Sequence, residues 1–111
     1  MTTVEGTKIT HTHGDTLLLT FPLYNADGTA YVFGENDTLT FLMRKEKGKT
    51  PDITKAIPTD TLLLTLTAAE TAALESGPLH GHYVYDVELT TAAGVVDTVI
   101  NFGELYITDE V

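Results

Sequence analysis

The sequence predicts an all-β fold, an antiparallel sandwich of six to eight strands with one short helical turn near 67–76. Three observations predict it. Apolar residues recur at every second position in run after run. The runs are short and separated by turns rich in glycine, aspartate and asparagine. A single stretch carries helix-forming residues behind a capping signal.

The elements follow in order. Leu17, Leu19, Phe21 and Leu23 line one face of a strand that ends at the turn Asn25-Ala26-Asp27-Gly28. Leu39, Phe41 and Met43 repeat the pattern after Glu35-Asn36-Asp37. Leu62, Leu64 and Leu66 repeat it again, alternating with Thr61, Leu63 and Thr65. Tyr83, Tyr85, Val87 and Leu89 share a face, with Val84, Asp86 and Glu88 on the other. Val95 to Phe102 and Leu105 to Ile107 complete the set. Threonine is frequent in these runs, and its branched carbon suits a pleated, half-buried surface. The exception is Thr67-Ala68-Ala69-Glu70, where a hydroxyl and a carboxylate three residues apart have capping-box spacing. Ala72, Ala73 and Leu74 follow, and Gly77-Pro78 ends the turn. Short antiparallel strands at this spacing give an immunoglobulin-like architecture in one domain spanning 1–111, without the Cys–Trp–Cys core of antibody domains.

Composition narrows the chemistry. A chain of 111 residues buries roughly two thirds of its unfolded surface, enough for one core. It has no cysteine, which excludes disulfides, thiolate metal sites and cysteine nucleophiles. No apolar run reaches the ~18 residues of a membrane span. The start, Met1 to Gly6, lacks the basic and apolar segments of a signal peptide, so synthesis in a bacterial cytoplasm without export by that route is expected. Sixteen acidic against six basic residues give a formal net charge of −10. Such a surface repels phosphate backbones and anionic lipid, which argues against nucleic-acid and membrane partners. The basic residues Arg44, Lys45, Lys47 and Lys49 cluster, either as a docking patch or as the solvated end of a hairpin.

Four histidines form two pairs, His11-Thr12-His13 and His80-Gly81-His82. On a strand, residues two apart project from one face, so each pair could chelate zinc or nickel, and two converging pairs could surround it. Each pair borders a glycine and has no evident carboxylate to orient its rings, so exposed histidine at strand ends is the competing reading. Asp15, Asp27, Asp37, Asp60, Asp86 and Asp97 fit no calcium loop, and several stand before threonine where a carboxylate sets a strand-entry turn. No nucleophile elbow, phosphate-binding glycine loop or zinc-protease helix occurs, and the lone serine, Ser76, has no evident base. No enzyme, cofactor or small-molecule substrate is expected.

The order of short motifs is itself informative. Gly14-Asp15-Thr16 leads into a leucine-rich strand and the turn Asp27-Gly28. Asp37-Thr38-Leu39-Thr40-Phe41 follows, then the Leu-Thr-Leu-Thr strand and its Ala-Ala-Glu-Thr turn. The chain closes with Gly81-His82-Tyr83-Val84-Tyr85-Asp86-Val87, Asp97-Thr98-Val99-Ile100 and Gly103-Glu104-Leu105-Tyr106-Ile107-Thr108. This order resembles small immunoglobulin-like structural proteins of tailed bacteriophages and of prophages in Gram-positive gut bacteria. It is also similar to the N-terminal sandwich of phage baseplate upper proteins, although the sequence has no following coiled coil or host-binding head. The resemblance implies a non-enzymatic virion protein, tail- or baseplate-associated, that binds other virion proteins or copies of itself. The reading from another class is a carbohydrate- or cell-surface-binding module, for which Tyr24, Tyr31 and Phe33 are the candidate aromatics.

Overall fold

The computed structural model describes residues 2–25, 27–45 and 50–109. The strands are β1 (Thr2–Glu5), β2 (Lys8–Thr12), β3 (Leu17–Thr20), β4 (Thr38–Arg44), β5 (Ile53–Ile57), β6 (Leu63–Leu66), β7 (His82–Thr90) and β8 (Val96–Thr108). One helix, α1 (Ala68–Ala72), lies between β6 and β7. Six strands form a large sheet in the order β1-β2-β8-β7-β4-β5, and β3 pairs with β6 in a small one. The two sheets enclose the core. Ile9, Leu39, Phe41, Met43, Ile57, Tyr83, Tyr85, Val87, Leu105 and Ile107 come from the large sheet; Leu17, Leu64 and Leu66 come from the small one. These are the alternate positions of each strand, so the all-β sandwich predicted by alternation is the fold observed.

Four features differ from the sequence expectation, each for a physical reason. The sheet is mixed, not wholly antiparallel: β2 runs parallel to β8, while the other described pairings are antiparallel. Period-two alternation sets which residues share a face and carries no information about strand direction. Strands β1, β2 and β5 add to those read from the sequence. The β1–β2 hairpin turns at Gly6-Thr7, where Gly6 takes φ 61 and supplies the positive φ of the first residue in a type II′ turn. The runs 95–102 and 105–107 are one continuous strand, β8. Finally, Val84 is buried although it faces outward from β7, between Arg44 of β4 and Glu104 of β8.

The helical turn forms as its spacing predicts. Thr67 Oγ1 accepts from the Glu70 N–H at 3.1 Å, and Glu70 Oε1 accepts from the Thr67 N–H at 2.9 Å. A helix of five residues cannot sustain itself, and its orphan amides need these partners.

Within β8, Gly103 makes room for a neighbouring ring. It stands directly opposite Tyr85 of β7, and a Cβ built there would lie 2.4 Å from Tyr85 Cζ. The bare backbone is therefore the floor under the Tyr85 ring. That ring also packs on Phe41 (centroids 5.4 Å apart) and edge-on to Phe21 (6.2 Å), while its hydroxyl donates to the Thr7 carbonyl at 2.7 Å.

Two predictions follow from this packing. Gly103→Ala should cost about 1–3 kcal/mol, the range for overpacking a core. In a Tyr85→Leu background the same substitution should cost much less, and equal penalties in both backgrounds by denaturant melts would refute the contact. Burial pushes the Tyr85 hydroxyl up to about 12 from 10.0. The folded pKa is raised, so the associated stability is complete below pH 10 and lost as pH climbs toward 12. The loss should be roughly 2–3 kcal/mol at about 1.4 kcal/mol per unit. Tyr85→Phe should remove that part of the alkaline limb in melts taken between pH 9 and 12, and an unchanged limb would be the contrary result.

Candidate interaction site

The histidines are divided between the two faces of the large sheet. His11 lies inside, only 1% exposed, and His82 stands on the outer face. The Asp15 carbonyl can only accept, so His11 Nε2, 2.9 Å away, carries a proton. Its Nδ1 then accepts from the Thr2 hydroxyl at 2.7 Å, a tautomer assigned from these partners. The same Asp15 carbonyl receives the Thr71 hydroxyl of α1 at 2.7 Å. His11 and Thr71 are thus the two buried polar side chains of the described residues, and both bond one carbonyl. His13 Nε2 reaches the carbonyls of Ala72 and Leu74, each at 3.1 Å, at the C-terminal end of α1. The first histidine pair therefore fastens the β2–β3 turn to the helix.

The second pair is arranged differently. The His82 ring stacks on Tyr106 at 4.6 Å, and Lys8 Nζ lies 5.1 Å from the centre of that same tyrosine ring. His82 Nε2 is 3.6 Å from Glu104 Oε1, too far for a hydrogen bond. His80 is exposed, and its carbonyl accepts from Lys45. The pairs do not converge, and among the described residues no group of three or more histidine or carboxylate side chains could hold a metal ion.

Of the basic cluster, Arg44 ends β4 and Lys45 follows it, while Lys47 and Lys49 lie outside the described residues. Lys45 binds the Glu75 carboxylate and covers the Tyr83 ring at 4.8 Å. Its hydrogen bond and charge hold Glu75 below the usual carboxylate range. Lys45 therefore serves an internal contact, at the side of a 440 Å³ groove that also includes Asp52, Ile53, Glu70 and Leu74. Arg44 keeps its Nε buried with no hydrogen-bond partner among the described residues.

The candidate aromatics are unequal. Tyr31 and Phe33 pack edge-to-face at 4.9 Å, and the Tyr31 hydroxyl points at Asp37, 3.4 Å away. Tyr24 is 65% exposed beside a 350 Å³ cleft lined by Phe21, Pro22, Leu23, Val87 and Val99. The aspartates near this end shape turns: Asp27 accepts from the Thr29 amide and hydroxyl, and Asp37 accepts from the Gly34 amide at 2.8 Å.

Strand edges form the last class of surface. The outer strand β5 turns Lys55 toward the sandwich interior, where it meets Glu70 at 2.8 and 3.0 Å. That bond, together with the Thr67 amide, holds Glu70 below the usual range. An inward charge on an edge strand obstructs the addition of another strand. At the opposite edge β1 is only four residues long. Both strands of the small sheet are edges, and neither β3 nor β6 carries a charged side chain. Comparison with known proteins adds no relative, since neither a family model nor a curated protein matches the chain.

The engaged imidazoles predict the response to metal. Zinc in modest molar excess should leave the melting temperature unchanged, because binding at His11 would first break two buried hydrogen bonds. Saturable stabilisation that disappears in His11→Ala would contradict this.

Proposed function

We propose that the protein is a non-enzymatic structural component of a phage or prophage virion, tail- or baseplate-associated, that works by binding other virion proteins or copies of itself. The observation that carries this reading is the six-over-two sandwich, in which β3 has no second partner strand among the described residues. A free edge offers backbone donors and acceptors to another chain. By contrast, three of the residues that sequence patterns offered for chemistry, His11, His13 and Lys45, are occupied in the fold. The order of motifs described above supplies the virion setting.

A carbohydrate- or cell-surface-binding module is the second reading, favoured by exposed Tyr24 beside its apolar cleft. A single open tyrosine face is thin support for sugar stacking, with Tyr31 and Phe33 engaged with each other.

Mass spectrometry of purified particles from the bacterium that carries the gene should find the chain. Sedimentation velocity with the particle proteins should show it associating. The salt dependence separates the partners. Copies of a chain with charge −10 repel, so added salt should strengthen self-association and weaken binding to a basic partner. A chain absent from particles and monomeric at every salt concentration would defeat the reading.

A further inference from the structure

We propose that the cleft between β3 and the β1–β2 hairpin accepts an extended, basic segment of a partner chain, which adds to β3 as a third strand of the small sheet. The proposal gives the assembly reading a partner chemistry and rests on it.

Hydrogen-bond phase identifies the free groups. The Phe21 N–H donates to the Leu62 carbonyl at 2.9 Å, in step with the register Leu17↔Leu66 through Thr20↔Leu63. Antiparallel pairing alternates bonded and non-bonded positions. Leu17 and Leu19 therefore turn their backbone groups toward β6, and Leu18 and Thr20 turn theirs away. Among the described residues, no backbone hydrogen bond from another segment reaches Leu18 or Thr20.

Beside this edge lies a 280 Å³ cleft lined by Val4, Ile9, Leu19, Phe21, Pro22 and Tyr85, with Gly6 and Thr20 at its margin. Val4 is 47% exposed there. The volume falls below the roughly 300–1,000 Å³ of small-molecule sites, and suits side chains entering from a neighbouring strand. Every second residue of an added strand would point into it.

The lining carries no charge, so those inward residues are apolar. Outward residues meet a different field. Asp60, exposed ahead of β6, sets a carboxylate at the Thr20 end of the small sheet, on a molecule of charge −10. Basic outward residues complement it. A second copy offering its own β3 does not fit. An antiparallel β3–β3 pair would place both large sheets on one side of the joined small sheet. Each large sheet extends beyond β3 to β1, and the two would overlap.

The probe is a labelled, end-blocked six-residue peptide alternating lysine and valine, titrated by fluorescence anisotropy against the whole chain. Controls replace its lysines with glutamate or its valines with serine. Thr20→Pro removes an outward N–H without touching the ladder to β6, and its melting temperature is checked against wild type. It should weaken binding about tenfold, as loss of one edge hydrogen bond and distortion of its neighbours imply. Val4→Lys, at the cleft rim, should weaken it comparably. Slowed amide exchange at Leu18 and Thr20 on peptide addition should report the contact without any substitution. No binding, equal binding by the serine control, or full binding by both variants would overturn the proposal. If the chain is nonetheless found in particles and associating, the assembly reading stands and only this site falls.

Discussion

The fold turns on one contact, the Tyr85 ring lying against the bare backbone of Gly103. A side chain on β8 at that point would push the ring out of the space between the sheets. With glycine there, the ring meets Phe21 and Phe41 and ties the small sheet to the large one through aromatic packing. The phenol then reaches Thr7 in the hairpin that adds β1 and β2 to the sheet. A missing Cβ on β8 thus anchors the small sheet, the central strands and the N-terminal hairpin together.

Polar interactions close one end of the sandwich. Alpha-helix α1 is too short to hold itself, and it is fastened by its capping box, by Lys55 from β5, by Thr71 on the Asp15 carbonyl and by His13 at its C-terminal carbonyls. Fixing the helix between β5 and the β2–β3 turn covers that flank of the core. The β3 flank receives no comparable cover, and the apolar cleft under Val4 and Leu19 lies there. The asymmetry between a bolted end and an open flank is what gives a small, uncharged strand its prominence on an acidic molecule.

Much of this was legible in the sequence. The alternation of Leu39, Phe41 and Met43, or of Tyr83, Tyr85 and Val87, reports burial directly, and the Thr67–Glu70 spacing reports its cap. Strands β2 and β5 conceal themselves for a common reason. Strand β2 alternates Ile9 with His11, and β5 alternates Ile53, Lys55 and Ile57, so each carries a polar residue on its inward face. His11 is accommodated by the Thr2 hydroxyl and the Asp15 carbonyl and Lys55 by Glu70, pairings that strand alternation does not display. The same limit applies to the candidate site. His-x-His spacing indicates a shared face, but His11 and His82 occupy opposite faces of the sheet because they sit on strands with independent phase. A free edge depends on which strands find partners, and that is a property of topology alone.

The parallel pairing of β2 with β8 has a consequence for how the chain is made. Lys8 to Thr12 lie beside Glu104 to Thr108, so β2 needs a neighbour 96 residues (104 − 8) further along the sequence. Contacts of such long separation are entropically slow to form. As the polypeptide emerges from the ribosome, the β1–β2 hairpin has no edge to join until β8 is out. Until then β7 exposes the edge that β8 will take. The sheet is thus completed only when Gly103 arrives opposite Tyr85 and β8 takes β7 on one side and β2 on the other.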